Sequence, residues 1–155
     1  MKRWFLYLAL LAAAAFLTIS PFQGSDVAKL LPIETVWLAQ EKGTVSLKTD
    51  TGDLGRGETV AAALQDMKES ASGTVFLDTA DYLIVEKGSE ELLTQIYHIL
   101  RPSCMVCIAE NMPDLEQVTA YFNAHEPPMT LRRFQNGGEK LPILTKQEGR
   151  FKWLE

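Results

Sequence analysis

The chain has 155 residues, of which 46% are hydrophobic and 23% charged, so it is long enough to form one folded domain with its own core. Its formal net charge is -5, and no cluster of Lys and Arg is longer than Arg132-Arg133. This distribution excludes the basic surface that nucleic-acid binding requires. Because anionic lipid headgroups repel an acidic domain, only a dedicated segment would attach this chain to a membrane.

The first residues of the chain have the properties of such a segment. Lys2 and Arg3 precede an unbroken apolar run over residues 4–19, which is about as long as the core of a signal peptide. The two cations favour an N-terminus that stays in the cytoplasm while the remainder crosses the membrane. We therefore expect residues 1–20 to be a signal peptide or an uncleaved membrane anchor. Either alternative predicts a domain outside the cytoplasm, secreted or anchored to the cell membrane.

The next segments predict a linker and then a hairpin. Residues 21–31 mix Pro, Gly and polar side chains, which is typical of a linker, and residues 32–155 are expected to form a single domain. IETVWLAQ and TVSLKT alternate apolar and polar residues on either side of Glu41-Lys42-Gly43, which predicts two antiparallel strands and a tight turn. A polar, Gly-rich loop is expected over residues 49–57.

Three later segments have the apolar spacing of amphipathic helices. They begin at Thr59, at Ser89 and at Pro113, and the second is expected to end at Leu100. Strands are predicted in TVFLDT, DYLIVEK and SCMVCIAE, and two or three more in the C-terminal MTLRRFQNGGEKLPILTKQEGRFKWLE. This order predicts an α+β fold with a mixed sheet, in which about three helices pack on the sheet behind an N-terminal hydrophobic helix.

The triplet Asp50-Thr51-Gly52 matches the nucleophile loop of aspartic proteases. In that class two such loops share one proton within an all-β framework. This chain has one triplet and three predicted helices, so a turn built from ordinary turn-forming residues is the favoured interpretation.

Gly55-x-Gly57 resembles the start of a phosphate-binding loop, but it lacks the third glycine of a dinucleotide fold and the Gly-Lys-Ser/Thr of a P-loop. Glu58 would also place a negative charge where a phosphate should lie. We interpret the segment as a strand–loop–helix junction. Its glycines would adopt backbone angles closed to other residues, and its acids would favour the helix start. The residues of this expected structural loop are Asp50, Gly52, Gly55, Gly57 and Thr59.

Cys104 and Cys107 have the spacing of a redox motif. Redox enzymes place such a pair at the start of a helix, whereas this pair lies in an apolar strand, where residues three apart point to opposite faces. Buried structural cysteines are the favoured interpretation, and an extracytoplasmic thiol or redox protein that uses both is the alternative. With only His98 and His125 in addition, a zinc site is not expected. The spacing of the residues assembles no catalytic, cofactor or metal site, so we expect a protein that is not an enzyme and needs no cofactor.

The order of several elements resembles a known family. Gly55-x-Gly57-x-Thr59 leads into a helix, and Val75-Phe76, Leu83-Ile84-Val85, Leu100-Arg101 and the strand Met105 to Ala109 follow. This succession is similar to the N-terminal domain of the spore germination receptor C-subunit proteins, the Ger(x)C type, over roughly residues 32–125. The family's lipidated cysteine after the signal is missing here. The resemblance implies a non-catalytic part of a receptor at the spore inner membrane.

Together these features predict an exported or membrane-tethered protein that acts by binding or assembly. Its expected partner is a protein of an envelope or spore inner-membrane assembly. Its expected contact with the membrane is through residues 4–19, provided that the leader is not cleaved.

Overall fold

The computed structural model describes residues 30–137 and 140–154, so the predicted leader and most of the predicted linker lie outside the described residues. Within them, four α-helices and a seven-stranded mixed sheet confirm the predicted α+β fold. The strands are β1 (Leu30–Leu31), β2 (Thr35–Glu41), β3 (Thr44–Thr49), β4 (Leu54–Gly57), β5 (Thr74–Val75), β6 (Tyr82–Glu86), β7 (Met105–Ala109), β8 (Ile143–Gln147) and β9 (Arg150–Leu154). The helices are α1 (Val60–Ser70), α2 (Leu93–Ile96), α3 (Leu115–Phe122) and α4 (Leu131–Gly137).

The large sheet has the strand order β4-β3-β2-β6-β7-β8-β9. Its centre, β2-β6-β7-β8, is parallel, and each side carries antiparallel strands. A separate pair is formed by β1 and β5, which run parallel. The last two residues of the segment predicted as a linker therefore belong to a strand. No helix of the described residues combines the length and the hydrophobicity needed to cross a membrane.

Two of the three hairpins of the sheet, β2–β3 and β8–β9, close through two-residue turns. Lys42 and Gly43 have φ angles of 51° and 82°, and Glu148 and Gly149 have 51° and 79°. Two consecutive residues at positive φ form the type I′ turn, whose twist matches that of the flanking strands. The predicted hairpin β2–β3 is thus confirmed, and the last two strands form a second one.

The sheet is covered unequally on its two sides. α1, α2 and α4 pack on the side that receives Val36 and Leu38 of β2, which we call the three-helix face. Only α3 packs on the opposite side, the single-helix face, which receives Trp37 and Ala39. Because β2 and the neighbouring parallel strands lie between helices, they are buried on both sides and read as continuous apolar runs.

The segment predicted as a loop over residues 49–57 ends in a strand, β4, and its glycines differ from the prediction. Neither Gly55 nor Gly57 has a positive φ. Instead, a Cβ atom on Gly55 would lie 2.0 Å from the carbonyl oxygen of Ala63 in α1, and one on Gly57 would lie 2.6 Å from the Cβ of Ala62. The glycines are therefore needed because strand and helix backbones touch, a long-range contact that local sequence does not reveal.

Two other segments also differ from the prediction. The helix expected from Ser89 to Leu100 is a 3₁₀ turn over Glu90–Leu92 followed by the short α2, and the backbone N–H groups of Ile99 and Leu100 both donate to the carbonyl oxygen of Ile96. α4 occupies residues for which a strand was predicted. The hydroxyl of Thr130 accepts the backbone N–H of Arg133 and starts this helix after the proline pair.

Candidate functional site

The carboxylate of Asp50 bonds to the protein backbone. It accepts the backbone N–H of Glu34 at 3.2 and 3.3 Å, and its own N–H donates to the carbonyl oxygen of Thr35 at 3.1 Å. Gly52 has a φ of 92°, the left-handed conformation that a tight turn favours. The triplet therefore lies in the turn between β3 and β4, and the hydrogen bonds of Asp50 tie this turn to the start of β2.

The neighbouring polar side chains of this turn bond to one another. The Thr51 hydroxyl donates to the carboxylate of Asp53 at 2.8 Å, and the Thr49 hydroxyl accepts the Asp53 N–H at 3.1 Å. At the far end of the segment, the Thr59 hydroxyl accepts the N–H of Ala62 at 3.1 Å and caps α1. The acid expected to favour the helix start is absent from its first turn, because Glu58 precedes the cap. Each residue of the predicted structural loop therefore has a structural role: Asp50, Gly52, Gly55, Gly57 and Thr59.

The two cysteines lie on opposite faces of the sheet. Both are free and buried, Cys104 in the core of the three-helix face and Cys107 in that of the single-helix face. Burial raises the pKa of the Cys104 thiol to about 12, against a weaker opposing effect of Arg101. Burial also raises the pKa of Cys107, with a further contribution from Cys104. Both sulfurs are therefore neutral thiols near pH 7, and their side chains point in opposite directions.

The remaining sequence candidates are spread over the molecule. His98 lies at the rim of a cavity of about 590 Å³ beside the exposed Phe76, whereas His125 stacks on Tyr121 with ring centroids 4.7 Å apart. Arg101, which the family resemblance singled out, forms an ion pair with Asp81. No three His, Cys, Asp or Glu side chains come together as a metal site within the residues that the structure covers.

A broad concave surface lies on the part of the single-helix face that α3 leaves uncovered. It is an open groove of about 700 Å³ over β2, β3 and β4, which we call the cationic groove. Trp37, only 3% exposed, forms its floor, and the exposed Leu54 and Met112 form its apolar walls. Its polar lining comes from Glu41, Lys42, Thr44, Ser46, Lys48 and Arg56.

Strand register brings the cations of this groove together. Lys48 lies between Trp37 and Leu54 in one row across the strands, and Arg56 lies opposite Ser46 in the next row. The Lys42 Nζ lies 3.6 Å from the Oε1 of Glu41, and both side chains are almost fully exposed. Within the part of the chain that the structure describes, Lys48 and Arg56 form no ion pair. The groove therefore presents two uncompensated positive charges on a protein whose net charge is negative.

Local sequence patterns do not reveal this groove. The alternation in TVSLKT correctly places Ser46 and Lys48 on one face of β3. Arg56, however, was assigned to a loop, and only the register of β4 places it on the same face. The alternation of larger side chains with glycine in LGRG was the available signal, but four residues with two glycines are too few to identify a strand.

A smaller cavity adjoins the groove at the carboxyl end of β7 and beside β8. It measures about 250 Å³ and is lined by Asn111, Thr145, Lys146 and Phe151, among others. Met112, 48% exposed, borders both this cavity and the cationic groove. The carboxyl ends of parallel strands are a common location for ligand sites. Glu110 at its edge is paired with Lys87 at 2.9 Å.

Comparisons of this chain with family models, with curated proteins and with solved structures find no significant match.

Proposed function

We propose that this chain is an exported, non-catalytic binding protein that holds an acidic segment of a partner protein in its cationic groove. One observation carries the proposal. Lys48 and Arg56 line the same groove without acidic partners, beside the apolar Trp37, Leu54 and Met112. A segment with acidic and apolar side chains satisfies both kinds of surface. The acids would pair with the cations, and the apolar side chains would cover the walls.

The charge of the whole molecule favours this orientation of an acidic partner. With a formal net charge of -5, the protein repels acids over most of its surface and attracts them at the groove. Such a distribution accelerates association at the correct face and opposes it elsewhere. Because the groove is open to solvent, its attraction should weaken as salt is added, on the scale of a Debye length of about 8 Å at physiological ionic strength.

The predicted leader and the family resemblance support the cellular setting of the proposal. The apolar run over residues 4–19 favours export or anchoring, with the domain outside the cytoplasm. The resemblance to germination receptor C-subunit domains favours a partner in a spore inner-membrane or envelope assembly. The buried position of Cys104 and Cys107 favours binding over the alternative of a thiol or redox protein.

Binding of a defined acidic peptide tests the proposal. The probe is a peptide of alternating Glu and Leu, compared with the same peptide carrying Gln for Glu, and the protein is the full chain. We expect the acidic peptide to bind and the neutral one to bind at least about tenfold more weakly. Reversing both charges, Lys48→Glu with Arg56→Glu, should weaken binding by about tenfold or more, because each exposed pair contributes up to about 1 kcal/mol and each new acid adds repulsion.

The matched control reverses two exposed cations on helices of the three-helix face, Lys68→Glu on α1 with Arg132→Glu on α4. It makes the same change in net charge, so a loss specific to the groove variant identifies the site. Equal affinity of the groove variant and the unmodified protein for the peptide of alternating Glu and Leu would refute the proposal. Isothermal titration calorimetry at low and physiological salt supplies the affinities, and circular dichroism verifies that the variants fold.

A further inference from the structure

The strand β9 forms one edge of the seven-stranded sheet, and no described strand pairs with its outer side. Its turn has two residues, so Gln147 and Arg150 form the hydrogen-bonded pair that closes the hairpin. Hydrogen-bonded pairs alternate along an antiparallel ladder. The backbone groups of Arg150, Lys152 and Leu154 therefore face β8, and those of Phe151 and Trp153 face outward.

At the opposite edge of the sheet, side chains cover the outward backbone groups of β4. The outward N–H of Arg56 in β4 donates to the carboxylate of Asp66 at 2.8 Å, and the hydroxyl of Ser70 lies 3.5 Å from the carbonyl oxygen of Leu54. Both capping side chains belong to α1, which lies along that edge. An uncovered edge can pair with another chain, and proteins usually protect it in this way. The described part of the molecule protects the β4 edge and leaves that of β9 open.

We infer that β9 binds an extended acidic segment of a partner protein by strand addition, at a site separate from the cationic groove. The hairpin β8–β9 carries Lys146, Arg150 and Lys152 against the single acid Glu148. It is thus a cationic element of an acidic chain. Main-chain hydrogen bonds to Phe151 and Trp153 would supply affinity, and the charges would select the partner.

The two faces of β9 specify the side chains of that partner. Phe151 and Trp153 turn toward the single-helix face, where they pack near Tyr121 and Phe122 with ring centroids 5.5 and 5.6 Å apart. The alternate residues, Arg150 and Lys152, are exposed on the other face. Residues directly opposite each other on neighbouring strands interact. The favoured partner therefore alternates acidic residues, opposite the cations, with apolar residues that extend the aromatic cluster.

A second copy of this chain fits the edge less well. Two copies of β9 could pair antiparallel through the outward N–H and C=O groups of Phe151 and Trp153. In that arrangement, each Phe151 would lie opposite a Trp153 of the other copy. Lys152 would then lie directly opposite Lys152 of the other copy. Like charges in this position oppose pairing. The charge pattern of β9 therefore selects an acidic strand over its own copy.

Hydrogen exchange with a designed peptide tests the inference on the full chain. The probe is a seven-residue peptide of alternating Glu and Val, and the readout is exchange of the Phe151 and Trp153 amides measured by NMR. We expect saturating peptide to slow exchange at these two amides by at least about tenfold, because each becomes a ladder donor. Lys152→Glu should weaken binding at this site by about tenfold or more, because it replaces an attraction with a repulsion.

Two matched comparisons separate this site from the cationic groove. Two versions of the peptide carry N-methyl groups on alternate amides, in one register or shifted by one residue. Strand addition is expected to tolerate one version and reject the other. Lys48→Glu with Arg56→Glu should leave the protection of Phe151 and Trp153 unchanged, even if it abolishes binding in the groove.

Several outcomes would overturn the inference. Unprotected Phe151 and Trp153 amides at saturating peptide would exclude strand addition at β9, as would equal binding of the two methylated peptides. Protection without peptide that rises with protein concentration, together with a dimer in sedimentation equilibrium, would identify a second copy as the occupant.

Discussion

Replacing Gly55 by Ala tests the contact between β4 and α1 that fixes one wall of the cationic groove. The added Cβ would lie 2.0 Å from the Ala63 carbonyl oxygen, 2.7 Å from the Met67 Cβ and 2.8 Å from the Met67 nitrogen. Two of these neighbours are backbone atoms of the helix, so no side-chain rotation can relieve the overlap. To restore van der Waals separation, strand and helix would have to move apart by roughly an ångström or more.

That movement opens a fully buried layer. Val60, Ala63 and Met67 of α1 are each 0% exposed and belong to the core of the three-helix face. Adding a methyl group to a packed core typically costs about 1–3 kcal/mol. Because backbone atoms are in the way, we expect Gly55→Ala to lower the free energy of unfolding by about 3 kcal/mol, the upper end of that range.

Urea unfolding followed by circular dichroism measures this effect, and two other glycines provide controls. Gly52→Ala adds a methyl group into open space but at a φ of 92°, so we expect a loss of about 1 kcal/mol from backbone strain alone. Gly137→Ala meets nothing within 4 Å and lies at the end of α4, so it should be neutral or slightly stabilising. If Gly55→Ala destabilised the protein no more than Gly137→Ala, the close contact would be refuted.

Two further predictions concern buried polar groups. Above about pH 8.5 the thiols ionise in the unfolded chain, whereas the buried Cys104 keeps its proton in the folded protein because its pKa is raised to about 12. The free energy of unfolding should therefore fall as the pH rises, by up to about 1.4 kcal/mol per pH unit for this thiol. Urea titrations from pH 8 to 10 should show a shallower decline for Cys104→Ala, and rapid alkylation of the native Cys104 at pH 8 would contradict the burial. The hydroxyls of Thr35 and Thr119 lie 2.5 Å apart between β2 and α3, and Thr119 also donates to the Leu115 carbonyl at 2.7 Å. Each Thr→Val change should cost about 1 kcal/mol or more and the double change less than the sum; additive losses in a double-mutant cycle would show that the pair is not coupled.

Two long periodic patterns predicted their elements correctly, whereas the pattern from Ser89 to Leu100 formed only the 3₁₀ turn Glu90–Leu92 and the short α2. The alternation around Glu41-Lys42-Gly43 identified the β2–β3 hairpin, and the apolar spacing after Thr59 identified α1. Short elements were predicted poorly, because they contain too few residues to establish a period. β4 was interpreted as a loop, and α4 as a strand.

Local sequence predicts the placement of the cysteines but not the cationic groove. The strand period predicted opposite faces for Cys104 and Cys107, because residues three apart in a strand point to opposite sides, and the structure agrees although Cys104 lies one residue before β7. The groove depends on pairings between residues distant in the chain. Lys48 and Arg56 share a face only because β4 pairs with β3, and β4 lies there only because two glycines allow contact with α1.

The amino-acid sequence by itself determined the fold class, the first hairpin, the helix α1 and the burial of both cysteines, since these depend on spacing between near neighbours. Only the tertiary structure decided which face of the sheet stays uncovered, which edge stays open and which cations gather there. Those properties arise from strand order and register, which bring together residues that no local period connects.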